Sequence, residues 1–356
     1  MNHLDRLLSL AVKGRVFPGA VLRVSQRGQP RYSGAWGTAD LTTGQPVVAD
    51  TVFDLASLTK PLATALVFMR LSQRNEVDAG QRLADFWPEP FPSDKSDITF
   101  GQVLAHAGGF PAYRPYFERL CRVPPQQRKA RLADWILSEP LEAAPGTRTI
   151  YSDLGFILVQ LVLERATGKT LDRLFREEIL EPLAISGLYF SNDREKMRER
   201  RVASTERCPW RGRVLHGDVH DENAFCLGGV GGHAGLFGSA PAVERLLLEL
   251  LASWKCRRES RVFDHRTVVS FLSRPACGGR PLGFDFPGPG PSSSGRRFSA
   301  NSVGHLGYTG TSFWMDPDRE VVVILLTNRV HPSRRNERIR EFRPLIHDAV
   351  MDWIGG

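Results

Sequence analysis

Residues 53–64 contain the only Ser-x-x-Lys pattern of the chain, formed by Ser57 and Lys60. A serine hydroxyl becomes an effective nucleophile only when a base takes its proton. A lysine held in a dry site can be that base, because burial disfavours its charged form. The apolar residues 62–71 predict a buried helix, and if Ser57 opens it, Lys60 lies about one turn along on the same face.

The start of such a helix also suits developing negative charge. Its first backbone N–H groups have no intrahelical acceptor, and the helix dipole is positive at this end. Both features favour the oxyanion that forms in acyl transfer. A purely structural interpretation stays open at this point, with Ser57 as a helix cap and Lys60 as a solvated side chain, because a four-residue pattern is weak by itself.

Two later stretches could complete such a site. Tyr151 carries a phenol that can accept and return a proton if neighbouring cations lower its pKa. Asp153, two residues on, could contribute to catalysis or cap the helix that follows. Residues 304–311 open a predicted hairpin, where one strand N–H could join that of Ser57 as an oxyanion donor. Gly307 would let a substrate lie close along that strand.

A competing interpretation uses metal. The side chains that could ligate zinc cluster in one stretch and are His216, His220, Asp221, Glu222 and His233. The His-Glu-x-x-His pattern of a helical zinc site is absent, and glycines 228–235 disfavour the helix that it needs. We therefore predict no metal and no cofactor, and we interpret His106 and His233 as hydrogen-bonded loop histidines.

Composition narrows the class of protein. The chain has 356 residues, 42% of them hydrophobic and 24% charged, which is typical of globular domains. The net charge of +8 comes from scattered Lys and Arg, so we predict no nucleic-acid partner and interpret the surplus as solvated surface or mild attraction for anionic substrates.

Five cysteines without Cys-x-x-Cys spacing suit a reducing compartment. With no apolar span and no signal peptide pattern, we expect a cytoplasmic protein without a membrane span.

The predicted elements divide the chain into β-rich ends and a helical middle. Strands at 20–24 and 31–36 follow a first helix, while strands at 311–315 and 321–326 precede a closing helix. We therefore predict an α/β (α+β) fold with two domains. Residues 1–59 and 186–356 form a discontinuous sheet domain, and residues 60–185 form an inserted, mostly helical domain.

The order and rough spacing of three motifs resemble the serine β-lactamase and penicillin-binding-protein superfamily. The motif positions are occupied by Ser57-x-x-Lys60, Tyr151-Ser-Asp153 and His305-Leu-Gly307. The match is closest to the class C-like branch, which includes D-Ala-D-Ala carboxypeptidases and esterases, and similar segments cover nearly the whole chain. The resemblance implies a central antiparallel sheet flanked by helices, with the site in the cleft.

The resemblance also implies a role for each matched residue. Ser57 would be acylated, and Lys60 and Tyr151 would share the general-base work. The backbone N–H groups of Ser57 and Tyr308 would form the oxyanion hole. Residues 216–233, here called the histidine-rich loop, would shape one rim of the cleft.

The substrate-binding positions would be Asp153, His305 and Gly307, and this chain departs from the commoner pattern there. Asp153 replaces Asn and could hold Lys60 protonated, which would shift base duty to the tyrosine. His305 replaces Lys and is mostly neutral at cellular pH, so its binding of a substrate carboxylate would be weaker. Leu306 replaces a hydroxyl residue that could bind the same carboxylate.

We therefore predict a serine hydrolase that forms an acyl-enzyme at Ser57. Its partner would be a small-molecule or peptide substrate with an amide or ester bond: a D-Ala-terminated peptide, a β-lactam-like compound or a small ester. One alternative is a non-catalytic protein of this fold that binds cell-wall fragments or a protein partner. Another is a metallohydrolase built on residues 216–233. The sequence leaves the oligomeric state open.

Overall fold

A computed structural model describes residues 2–193, 195, 197, 201–257, 260–274, 279–288 and 292–355. Its central element is a six-stranded antiparallel sheet in the order β3-β2-β1-β11-β10-β9. These strands are β1 (Gly19–Gln26), β2 (Gln29–Asp40), β3 (Gln45–Pro46), β9 (Val303–Leu306), β10 (Ser312–Asp316) and β11 (Val321–Thr327). Since β1 pairs with β11, the two ends of the chain build one sheet, as predicted.

Side-chain alternation along the central strands gives the sheet two apolar faces. On β1, Leu22 and Val24 point to one face and pack with Leu4 of the first helix and Val350 of the last. Val21 points to the other face and joins the core that includes the helical middle of the chain. The sheet is therefore covered on both sides, which explains why all seven residues of β11 are buried.

Helices and short strands account for the rest of the described elements. The helices are His3–Lys13, Leu66–Gln73, Phe100–Leu104, Phe117–Leu120, Arg128–Ser138, Asp153–Thr167, Leu171–Phe175, Glu222–Cys226, Ala240–Trp254, His265–Leu272 and Ile339–Gly355. A three-stranded sheet in the order β4-β8-β5 and a pair β6-β7 complete the strands. Their bounds are β4 (Val52–Asp54), β5 (Leu188–Phe190), β6 (Arg207–Cys208), β7 (Arg213–Val214) and β8 (Leu236–Ser239). None of the helices in the described ranges is long and apolar enough to cross a membrane.

Helices between residues 66 and 175 form the helical part where it was predicted. One continuous cluster of buried side chains joins this part to the sheets, with Leu66 and Phe156 from the helices and Phe313 and Ile324 from the strands. The division into two domains at residues 60 and 185 stays a prediction.

Two details of the predicted elements are wrong. Ser152, rather than Asp153, caps the helix Asp153–Thr167, because the Ser152 hydroxyl accepts from the N–H of Gly155 at 3.1 Å. The stretch 216–233, where the glycines were expected to disfavour a helix, nevertheless contains the short helix Glu222–Cys226. Asp221 caps that helix through the N–H of Ala224 at 2.7 Å.

Candidate active site

The segment that carries Ser57 is not the regular α-helix predicted. Strand β4 is followed by one 3-10 turn, Ala56–Leu58, then by a π-helical stretch, Lys60–Ala65, before the α-helix Leu66–Gln73 begins. Pro61 has no N–H for a regular helical bond, which favours a wider turn. Ser57 and Lys60 nevertheless point to the same place.

The ammonium group of Lys60 is fully buried among polar partners. Nζ donates to the Ser57 hydroxyl oxygen at 3.1 Å and to the backbone oxygen of His233 at 3.2 Å. Oδ1 of Asp153 lies 2.6 Å from the same nitrogen. Asp153 therefore forms an ion pair with the ammonium, and the Tyr151 hydroxyl is a further hydrogen-bond partner of Lys60.

This arrangement decides the charge of Lys60. Burial lowers the pKa of Lys60, but the Asp153 carboxylate and the Tyr151 hydroxyl outweigh it, and the net pKa lies above the ordinary value. Lys60 is therefore an ammonium at neutral pH. The expectation that burial would leave a neutral lysine base is wrong for the resting site, because the dry environment also strengthens the attraction of the carboxylate.

Tyr151 lies over Lys60, with its ring centre 4.7 Å from Nζ. Burial raises the pKa of Tyr151, the Lys60 ammonium lowers it, and the Asp153 carboxylate raises it; the net pKa is above the ordinary value. The phenol is therefore protonated at neutral pH. Lys60 lowers this pKa as the sequence suggested, but the effect of burial is larger. The ring itself is 36% exposed and forms part of a cavity wall.

His106, predicted to be a hydrogen-bonded loop histidine, holds the backbone on both sides of Tyr151. Its backbone oxygen accepts from the N–H of Ile150 at 2.8 Å, and its Nδ1 accepts from the N–H of Ser152 at 3.0 Å. The imidazole is buried and lies 4.5 Å from the Tyr151 ring, centre to centre. Burial holds its pKa well below the ordinary value, so the ring stays neutral and adds no charge beside Lys60.

The two predicted oxyanion donors face the same cavity. Ser57 and Tyr308 both line it, and the hydrogen bonds within the described ranges leave the N–H groups of these two residues without an acceptor. Tyr308 lies in the turn between β9 and β10, with its side chain half-exposed. Two unpaired N–H groups beside a candidate nucleophile can stabilise an oxyanion.

The structure places His305 and Gly307 behind this cavity rather than in its wall. His305 is buried, its ring lies 5.9 Å from that of Tyr151, and burial lowers its pKa to about 4. It is therefore neutral and poorly placed to bind a carboxylate. A Cβ at Gly307 would lie 2.6 Å from the backbone oxygen of Leu55, so glycine here allows the turn to approach strand β4.

The cavity has a volume of about 390 Å³. Four of the residues in its wall were predicted as site residues: Ser57, Tyr151, Asp153 and Tyr308. A larger surface cavity of about 650 Å³ lies beside Glu244, but its wall contains no serine, cysteine, lysine or tyrosine. Of these two cavities, the one at Ser57 combines space for a substrate with candidate chemistry.

Six further polar residues of this wall were not predicted as site residues. They are Tyr113, His220, Asp221, Glu222, His233 and Arg334. The histidine-rich loop therefore forms a rim of the cleft, as the resemblance implied. Arg334 belongs to a basic stretch near the end of the chain, and no sequence signal separates it from its neighbours.

Ion pairs hold this rim in place. Arg334 donates to Glu206 through Nε at 2.6 Å and to Glu222 through Nη2 at 2.6 Å. His220 lies 3.2 Å from the same Glu206 carboxylate, and its ring stacks on that of Tyr308. The rim residues are thus paired with one another across distant parts of the chain.

Hydrogen bonds engage the proposed zinc ligands without bringing them together as a set. Nδ1 of His216 lies 3.1 Å from the Ser204 hydroxyl, and Nε2 of His233 lies 2.9 Å from Asp221 Oδ1. In the part of the chain that the structure describes, no three His, Cys, Asp or Glu side chains come together as a ligand set. The arrangement offers no support for a metallohydrolase.

In this site a serine is hydrogen-bonded to a buried lysine beside a tyrosine, between a sheet and a helical part. Such an arrangement is typical of serine hydrolases related to β-lactamases and penicillin-binding proteins. The family model described as Beta-lactamase matches residues 4–346. The chain therefore belongs to the β-lactamase family and is a β-lactamase-related serine hydrolase.

Similar proteins agree with this assignment. A putative D-alanyl-D-alanine carboxypeptidase from Escherichia coli (strain K12) is 31% identical, over 93% of this chain and 82% of its own length. An N-acetylmuramyl-L-alanine amidase from Bacillus subtilis (strain 168) is 30% identical, over 88% of this chain and 78% of its own. The structure of EstCE1, a hydrolase with promiscuous acyltransferase activity, superposes with a TM-score of 0.73 at 20% identity, covering 96% and 97% of the two chains.

Proposed function

We propose that this protein hydrolyses an amide or ester through an acyl-enzyme at Ser57. The observation that carries the proposal is the 3.1 Å hydrogen bond from Lys60 to the Ser57 oxygen at the wall of a cavity. The unpaired N–H groups of Ser57 and Tyr308 support it, because they could receive the oxyanion.

Proton transfer would run through Lys60 and Tyr151 as a coupled pair. At rest both Lys60 and Tyr151 are protonated, so neither can accept a proton. The reactive form has therefore lost one proton and contains a Tyr151 phenolate beside the Lys60 ammonium. The phenolate takes the Ser57 proton as the serine oxygen bonds to the carbonyl carbon. The leaving alcohol or amine departs with that proton. Water then attacks the ester, releasing the acid and restoring Ser57.

The raised pKa values of Tyr151 and Lys60 predict a rate that increases with pH. The reactive form is a minor species at neutral pH, and its fraction increases about tenfold per pH unit below the pKa of the pair. We expect kcat/KM for an aryl ester to increase in this way from pH 7 to 9. Tyr151→Phe should lower the rate by about 10²-fold or more and remove the slope.

Initial rates across this pH range, with circular dichroism to show that both proteins stay folded, provide the measurement. A plateau already reached at pH 7 in the wild type would contradict the proposed protonation states. A slope that persists in Tyr151→Phe would assign the titration to another group.

The substrate class is part of the proposal. The names of the similar carboxypeptidase and amidase support peptides ending in D-Ala and related cell-wall fragments. Small esters belong to the proposal because a serine nucleophile can be acylated by an ester as well as by an amide. The acyl group would occupy the cavity next to the rim, and the leaving group would depart past Tyr151.

The charge of the cavity wall predicts a preference among such substrates. Three carboxylates line it, those of Asp153, Asp221 and Glu222. Arg334, the one Lys or Arg of the described wall, is already paired with Glu206 and Glu222. The interpretation that the positive net charge attracts anionic substrates therefore does not extend to this cavity. Asp153 and Glu222 are paired as well, with Lys60 and Arg334. When Lys60 and Glu206 are counted with the wall, the carboxylates still outnumber the cations, so the cavity favours a substrate ammonium group.

We expect an aryl ester of an amino acid with a free ammonium group to show about tenfold higher kcat/KM than its N-acetyl derivative, which corresponds to about 1.4 kcal/mol. The difference should shrink at high salt, because exposed charge interactions are screened. Glu222→Gln is the matched variant and should reduce the ratio. A preference for the neutral ester, unchanged by salt, would contradict this charge argument.

The direct test of the proposed function is intact-protein mass spectrometry. The protein is incubated in parallel with a D-Ala-D-Ala peptide, an aryl ester and a β-lactam, and the adduct is mapped by proteolysis. We expect the mass of an acyl group on Ser57 with at least one of them. Turnover of a substrate with an adduct on another residue would overturn the assignment of the nucleophile.

A further inference from the structure

The turn between β9 and β10 is tied to the segment before Ser57 by two buried threonines. The hydroxyl of Thr309 donates to the backbone oxygen of Asp54 at 2.6 Å, and that of Thr311 donates to the backbone oxygen of Leu55 at 3.1 Å. Thr309 is 1% exposed and Thr311 is fully buried. These bonds join two stretches that are about 250 residues apart in sequence.

Each hydrogen bond joins residues that lie close in sequence to the two candidate oxyanion donors, Ser57 and Tyr308. Asp54 and Leu55 lie three and two residues before Ser57, and Thr309 directly follows Tyr308. The two unpaired N–H groups are therefore connected by only a few residues and the threonine hydrogen bonds. A shift of the turn relative to β4 would change the separation of the two N–H groups.

Arginines hold the same turn from its other side. Arg329 donates through Nε to the backbone oxygen of Tyr308 at 2.8 Å. Arg343, which lies on the last helix, donates through Nη2 to the backbone oxygens of Gly307 and Thr311 at 2.8 and 2.9 Å. The Gly307 oxygen lies in the same peptide plane as the Tyr308 N–H, so the hydrogen bond from Arg343 restrains the direction of that N–H.

We propose that Thr309 and Thr311 are positioning residues that set the spacing of the Ser57 and Tyr308 N–H groups for the oxyanion of the acyl-transfer transition state. The inference rests on the proposed function. Oxyanion donors act by being preorganised, and a misplacement of about 1 Å can cost about 10²-fold in rate. Neither threonine lines the cavity, so their effect should appear in the transition state and not in binding of the ground state.

The test compares Thr309→Val with Thr309→Ser. Valine keeps the shape but removes the donor, whereas serine retains the hydroxyl. We expect Thr309→Val to lower kcat for an aryl ester at least tenfold with little change in KM, and to lower the rate of Ser57 modification by a fluorophosphonate by a similar factor. Thr309→Ser should restore both rates. Thr311→Val should behave like Thr309→Val, which covers the case in which one variant does not fold.

Thr51→Val is the matched control. Thr51 is also fully buried, and its hydroxyl accepts from the N–H of Val48 at 2.8 Å, away from the turn. We expect this variant to keep the wild-type kcat even if its melting temperature falls.

Two outcomes would overturn the inference: wild-type kcat and fluorophosphonate rates in folded Thr309→Val and Thr311→Val, or an equal loss in Thr309→Ser. The failure of the proposed function looks different, because wild type itself would then not be modified at Ser57.

Discussion

Replacing Ser57 with alanine is expected to lower kcat for an aryl ester by at least about 10⁴-fold, because no other group can form the acyl bond. The expected loss is large because the Lys60–Tyr151 pair and the oxyanion donors act on this one oxygen. In the variant, Lys60 retains Asp153 and the backbone oxygen of His233 as partners. The fold should therefore survive, and the loss should be one of chemistry.

The loss is measured as the rate of ester hydrolysis and as the extent of fluorophosphonate labelling, each compared between Ser57→Ala and wild type. Ser138→Ala is the matched control, since Ser138 is exposed on the helix Arg128–Ser138 and its hydroxyl bonds only to the backbone oxygen of Asp134. It should label and turn over like wild type. Residual activity of Ser57→Ala above a few per cent, in protein shown by mass spectrometry to be homogeneous, would remove Ser57 as the nucleophile.

The second large effect is expected at Lys60, on both rate and stability. Lys60→Met keeps the length of the side chain but removes the ammonium that bonds to Ser57 and pairs with Asp153 at 2.6 Å. Removing one partner of a buried ion pair leaves the other charge uncompensated and costs about 3 kcal/mol of unfolding free energy. The hydrolysis rate should fall at least about 10³-fold, because Tyr151 loses the cation that stabilises its phenolate.

A second substitution separates these two effects. In Lys60→Met/Asp153→Asn, no unpaired carboxylate remains, so the free energy of unfolding measured in urea should recover most of its loss. The hydrolysis rate should not recover. Asp153→Asn alone introduces the residue that is commoner in the superfamily, and we expect it to stay active. If Lys60→Met and Lys60→Met/Asp153→Asn have the same free energy of unfolding, the ion pair does not contribute to stability as argued.

Local chemistry explains why much of the site could be predicted from sequence. Ser57 and Lys60 are three residues apart, so any helical turn brings them to one side, whether it is regular or π-helical. The strands also followed from local patterns, because residues 321–326 are apolar throughout and suit a central strand. The loss of regular α-helical geometry after Ser57 was not predicted, because it depends on Pro61 and on bonds such as that from Thr64 to the backbone oxygen of Gly232.

The sequence by itself determined the family, the antiparallel sheet built from both chain ends, and the choice of a serine, a lysine and a tyrosine as the candidate catalytic residues. Only the tertiary structure decided their protonation, the burial of His305 behind the cavity and the acidic rim around Arg334. The reason is that charge state depends on desolvation and on partners that lie far away in sequence. Asp153 lies 93 positions from Lys60, and from the sequence only the family resemblance suggested that it could hold Lys60 protonated; the distance of 2.6 Å between them is set by the tertiary structure.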